Sequence, residues 1–178
     1  MTMTTTTQRL TPEDAPKIGE YWRGQGGIYA GIMPDYVGAE PRFLIFAAEE
    51  GVGLHWGGIG STEPGAHDAY NGAGNTRALT TCWRSNHMHD AAHFAAEYEK
   101  DGHDDFYLPA KRELDVAYQT IRDSFDETDW YWSSTEESKT MAYGRNFGEV
   151  ESPSLFKHTE GRVRPVRSIP VANSETQS

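Results

Sequence analysis

One cysteine, Cys82, stands in 178 residues. No intrachain disulfide can form, so a disulfide-stapled secreted scaffold is excluded. No stretch of about 18 apolar residues offers a membrane span. The first residues, Met1-Thr2-Met3-Thr4-Thr5-Thr6-Thr7-Gln8, have no apolar centre of the kind a signal peptide needs. The expectation is a chain made and folded in a cytoplasm, without membrane insertion. Basic charge is scarce as well. Against 27 Asp and Glu there are 16 Lys and Arg, a formal charge of −11, which argues against nucleic acid as a partner. Leucine is sparse, whereas glycine reaches 18 and aromatic residues 12%. That mix suits a loop-rich fold with aromatic packing rather than a helical bundle.

The length suits one domain with a real core. Thr-rich residues 1–10 carry no hydrophobic pattern, and the segment 1–16 reads as an N-terminal arm. Residues 17–171 read as a single domain, and 172–178 as a polar tail. Acid is unevenly spread: residues 97–129 hold eleven acids against four bases, while 130–167 are nearly neutral. A solvated helical face accounts for the acidic stretch.

Periodicity sets the elements. Thr11-Pro12 starts a short helix that cannot run past Gly19. Gly27 to Met33 and Arg42 to Ala47 are apolar and form a hairpin around Pro34-Asp35 and Gly38 to Pro41. Leu54-His55-Trp56 reads as a third strand, and 57–77, rich in Gly, Asn, Pro and Ser, as a long loop. From Met88 to Glu99 the pattern is helical, with Met88, Ala91, Ala92, Ala95 and Tyr98 on the apolar face and His89, His93, Glu97 and Lys100 opposite. A second helix over about Ala110–Phe125 places Leu114, Ala117, Tyr118, Ile121 and Phe125 on one face. Glu113 stands where a capping box needs it, although Ala110 supplies no capping oxygen. Strands follow at Trp130 to Trp132, Ala142 to Phe147, Ser154 to Lys157 and Arg162 to Ile169. The fold class is α+β: two helices packed on short antiparallel sheets, with an N-terminal β-hairpin extension.

The chemical constellations are weak. His87, His89, His93 and Glu97 have metal-ligand spacing, but a solvated face explains the row, and no HExxH pattern supports a zincin. A metal-dependent enzyme using His89 and His93 is a minor reading. The turn Asp101-Gly102-His103-Asp104-Asp105 has oxygens that would suit Ca²⁺, yet it lacks the alternation of an EF-hand loop. No nucleophile elbow and no phosphate loop is present. The expected reading is therefore not an enzyme, with no cofactor other than that Ca²⁺. The segment 133–158 carries more polar and aromatic side chains than a core needs: Glu136, Glu137, Lys139, Tyr143, Arg145, Asn146, Phe156, Lys157 and His158. Strands that present Tyr, Arg and Asn make a recognition surface, since aromatic planes give contact area at low entropic cost.

Three phrases then occur in order: Asp105-Phe106-Tyr107-Leu108-Pro109 before Glu113-Leu114, Trp132-Ser133-Ser134-Thr135-Glu136, and Val163-Arg164-Pro165-Val166-Arg167. With the turn at Phe147-Gly148 they resemble the Lcl C-terminal domain family over about residues 88–169, and Gly26 to Gly31 resembles the hairpin of phage-encoded members. The resemblance implies a variant of the C-type lectin fold and a ligand-display role, with the 136–158 surface contacting a receptor. The Glu-Pro-Asn and Trp-Asn-Asp triplets of calcium-dependent sugar-binding lectins are absent, as is the cysteine pair of formylglycine-generating enzymes. The expected function is a phage virion protein, on a tail fibre, tail tip or capsid, that binds a host glycan or outer-membrane receptor. Its ligand residues would be Glu136, Glu137, Lys139, Tyr143, Arg145, Asn146, Phe156 and Lys157. Its partners would include other virion proteins through the N-terminal arm, and copies of itself, a trimer suiting a fibre. The alternative is a structural decoration or adaptor protein of the virion without receptor binding.

Overall fold

A computed structural model describes residues 10–33, 40–81, 88–151 and 153–172. Among them are three helices and two sheets, an α+β arrangement. The first sheet has the order β1 (Tyr21–Trp22), β2 (Gly27–Met33), β3 (Arg42–Phe46) and β9 (Val166–Pro170). The second runs β4 (Gly51–His55), β8 (Glu160–Val163), β5 (Trp130–Glu136), β6 (Met141–Asn146) and β7 (Ser154–Phe156). Among the described residues no helix is long and apolar enough to cross a membrane.

The two sheets share one antiparallel ribbon. Phe46 pairs Val166 and Arg42 pairs Pro170 in the first sheet, while Gly51 pairs Val163 and His55 pairs Glu160 in the second. Between them Ala47 donates to the Pro165 carbonyl at 2.8 Å. At one end of this ribbon Val171 donates to Pro41, and Ala172 to Leu10. At the other, Gly57 donates to Lys157. Leu54 thus lies in a strand, as its apolar pattern predicts, but that strand leads out of the hairpin into the second sheet.

Alternation along β3 divides the core, because successive strand residues face opposite sides. Leu44 and Phe46 pack with Ala30, Met33, Tyr131, Phe147 and the Leu114, Ala117, Ile121 and Phe125 face of α3 (Lys111–Thr120) and the 3-10 turn after it. Phe43 and Ile45 face the other way, onto Trp22 and Tyr29, with Leu10, Ala15, Ile169 and Val171 beside them. A third cluster joins Trp56, Leu79, Leu108, Trp132 and Val163 to the alanines of α2 (Asp90–Ala96). Leu10 and Ala15 thereby pack with the domain rather than apart from it.

Three elements differ from the sequence expectation. The Thr11-Pro12 start yields a single 3-10 turn, Pro12–Asp14, in which Thr11 N–H and Oγ1 both donate to Asp14. Inside the expected loop 57–77 lies the start of α1 (Gly72–Thr80), capped by Asn71, which accepts from Gly74 N–H at 2.9 Å. Glycine hides this helix from propensity, and packing explains the glycine. A Cβ on Gly72 would stand 2.4 Å from Glu113 Oε2 and 2.6 Å from Ala110 N. On α2 the alanines are buried as expected, but Met88 is 71% exposed and His89 is fully buried. The pattern inverts at that end because His89 is the residue before the helix, not a member of its polar face.

Glu113 makes half a capping box. It accepts from Ala110 N–H at 2.7 Å, and also from Tyr107 Oη and Arg42. Burial raises its pKa above the ordinary carboxyl value despite these donors.

The arginines of the Val-Arg-Pro-Val-Arg phrase, and Arg162 just before it, act as scaffold. Arg162 and Arg164 converge on Glu50 where the ribbon leaves one sheet for the other, and Tyr131 Oη donates to the same carboxylate at 2.7 Å. Arg167 grips Asp105 through both carboxylate oxygens, at 2.7 and 3.0 Å.

Candidate functional site

The site lies at the Gly57–Lys157 end of the ribbon and begins where β5 leaves β6. Trp132 pairs Gly144 and Glu136 pairs Ala142, with a register shift between. A backbone that leaves its ladder must find other partners, and the hydroxyls of Ser133, Ser134 and Thr135 help supply them. Ser133 Oγ donates to Tyr143 O, Ser134 Oγ accepts from Asn75, and Thr135 Oγ1 donates to Asp68 O while accepting from Lys111 N–H. All three are buried. Their role is to clamp the 66–68 loop and the start of α3 to β5.

Next comes Glu136. It is 3% exposed and forms a buried ion pair with Lys157, itself 0% exposed. Glu63 N–H donates to both carboxylate oxygens at 3.1 and 3.0 Å, and His67 Nε2 stands 3.2 Å from Oε2. Lys157 Nζ also donates to Ser61 O at 2.9 Å and lies 4.7 Å from the Trp56 ring centroid. His89 closes the far side: Nδ1 is 3.0 Å from Trp56 O and Nε2 is 3.5 Å from Glu63 Oε1. Because a carbonyl only accepts, His89 Nδ1 carries a proton. The main chain of the loop is tied down as well, Gly57 N–H to Lys157 O and Gly60 N–H to Lys139 O. Gly57 has φ +88°, and a Cβ there would meet Met88 O at 2.0 Å.

The expected ligand set therefore divides. Glu136 and Lys157 are not displayed; they form the floor. Arg145 and Asn146 are buried too. Arg145 pairs with Asp115 at 3.2 Å and lies 3.7 Å over the Tyr118 ring, while Asn146 accepts from Gly148 N–H. Tyr143 is half-buried under Lys111, whose Nζ is 3.8 Å from the ring centroid. The physical reason is α3. Its flank carrying Lys111, Asp115 and Tyr118 covers Tyr143 and Arg145 of β6 and Phe147 just after it. Glu137, Lys139 and Phe156 remain exposed. Phe156 is 53% exposed and stacks on His158 with centroids 5.6 Å apart and planes 24° from parallel. Ile59, 47% exposed, belongs to the loop bonded to Lys139 and Lys157.

Nothing in the sequence marks Trp56, Ser61, Glu63 or His67 as part of this end. Their pairing with 136 and 157 spans the chain, and no local period announces it.

Of the metal candidates, His89 is buried on Trp56, and His93 and Glu97 sit 3.9 Å apart in solvent; His87 lies outside the described residues, as does Cys82. In the acidic turn Asp101 Oδ2 already accepts from Tyr21 Oη, Gly24 N–H and Gly26 N–H, and Asp105 is held by Arg167. Among the described residues no group of three His, Cys, Asp or Glu side chains is placed to hold a metal ion.

No protein-family model matches the chain, and no curated protein matches it in sequence.

Proposed function

We propose that the chain is a displayed recognition domain, a variant of the C-type lectin fold, that binds a host-surface glycan or outer-membrane receptor as part of a phage virion. The observation that carries the recognition reading is the exposed Phe156–His158 stack on a rigid floor. Two near-parallel rings offer a flat, weakly negative face, to which the C–H edge of a sugar ring or an apolar receptor side chain can pack. Glu137 and Lys139 stand exposed on the neighbouring β5–β6 turn and supply polar contacts. The floor beneath is fixed by the buried ion pair, so little ordering cost falls on binding. The ribbon supports display: residues 10 and 172 meet at one end and the ring stack lies at the other. The virion setting rests on the resemblance of the three phrases alone.

The test is a glycan array and whole-cell binding with Phe156→Ala/His158→Ala. Both residues are exposed, so the fold should keep its melting temperature while attachment falls at least about tenfold, the loss of roughly 1.4 kcal/mol. Unchanged attachment sinks the assignment of the surface. One observation favours the structural decoration or adaptor reading instead: four of the eight expected ligand residues, Glu136, Arg145, Asn146 and Lys157, are buried. A folded domain that binds no host cell and no glycan, yet is required for virion assembly, would establish that reading.

A further inference from the structure

A cleft of about 420 Å³ lies between α1 and β9, within the roughly 300–1,000 Å³ typical of small-ligand pockets. Its walls include Thr76, Arg77 and Thr80 of α1, Asp105 and Phe106 ahead of α3, and Ser168 of β9.

The strand edge selects one kind of ligand. Along an antiparallel pair, alternate residues turn their main-chain groups toward the partner. Pro165 O accepts from Ala47 and Val171 N–H donates to Pro41 O, so the odd-numbered residues of β9 face β3. The even-numbered ones face away. Val166 exchanges both bonds with Tyr107, Ala172 N–H goes to Leu10 O, and Pro170 has no N–H. Between them Ser168 presents an outward N–H and C=O that no main-chain group takes among the described residues. Charge narrows the choice further. Asp105 is neutralised by Arg167 through both oxygens. Arg77 is exposed, and its guanidinium has no ion pair or hydrogen bond among the described residues. The uncompensated charge of the cleft is therefore positive, in a chain of −11.

We propose that this cleft binds the carboxyl-terminal end of an extended peptide. The peptide main chain pairs with Ser168, continuing the ladder begun by Tyr107. Its carboxylate pairs with Arg77, and a small side chain packs on Phe106 and Ala96. Edge pairing for affinity and carboxylate capture for register are both established modes of peptide recognition.

The probe is N-acetyl-trialanine with a free carboxylate, titrated into the full chain and followed by amide NMR. Saturable shifts at Ser168, Arg77 and Thr80 are expected. Binding should weaken about tenfold or more for the C-terminally amidated probe and for Arg77→Glu, since a charge-assisted bond is lost. Ser168→Pro removes the outward donor while leaving the odd-numbered bonds to β3 intact, and should abolish the shifts; if that variant does not fold, Arg77→Glu carries the test. Phe156→Ala should leave the titration unchanged, which separates this site from the host-surface reading. No saturable shift, equal binding of acid and amide, or acetate binding as well as the peptide would each overturn the proposal.

Discussion

A lysine ammonium with no exposed surface persists only where its protons meet acceptors. Lys157 meets Glu136, Ser61 O and the Trp56 face. Removing one member of such a pair strands the other charge, at a cost of about 3–5 kcal/mol, whereas replacing both with apolar groups can be nearly neutral. Lys157→Met should therefore lower the unfolding free energy by about 3–5 kcal/mol in urea titration, and Glu136→Leu by a similar amount. The double variant should lose clearly less than the sum of the two. Additive losses would mean that the two residues stabilise the fold through separate contacts. Phe156, the neighbour of Lys157, is exposed, so Phe156→Ala should leave the unfolding free energy within about 0.5 kcal/mol of the parent.

At the scale of elements, the joint between the sheets is an acid-sensitive point. Partial burial of Glu50 would by itself raise its pKa, but the Tyr131, Arg164 and Arg162 contacts outweigh it and hold the carboxyl below the ordinary 4.5. A carboxyl lowered by folding gives stability that is fully present above its unfolded value and is lost as pH falls through its folded value. Glu50→Gln should remove that part of the acid sensitivity, so its urea midpoint should change less than the parent's between about pH 6 and pH 3. Tyr131 works at the other limit. Burial, then the bond to Glu50, push it up to about 12, so its contribution is present below pH 10 and lost as pH rises through 12. The elements also show what the sequence makes legible. The helix carrying Leu114, Ala117, Ile121 and Phe125 is readable because one face meets one core. The outward reading of Arg145 fails, and that of Tyr143 holds only in part, because a strand's polar side chains look the same whether water or a flank of α3 covers them. The start of α1 is hidden because Gly72 answers to Glu113 and Leu108, which lie more than one element away. For the site, Lys139 and Phe156 are exposed, as was expected of the whole 136–157 set, while the buried status of Glu136 and Lys157 depends on a loop far back in the chain.

At the scale of the molecule, Leu10 and Ala15 pack against the core cluster of the first sheet, and the Leu10 carbonyl takes a bond from Ala172 N–H. Truncation should therefore show a step. Deleting residues 1–15 rather than 1–9 should lower the melting temperature by about 2–8 °C, the worth of one partly buried leucine in a domain of this size. Calorimetry of the two truncations decides it, and equal melting temperatures would show that this contact stabilises nothing. The ribbon also sets how the domain bears load. If a body at the Leu10 end and a ligand at Phe156 are pulled apart, the load runs along the strands of the ribbon. Its hydrogen bonds lie across that direction, so they must shear together instead of parting one by one. The domain is built to hold against tension between its two ends.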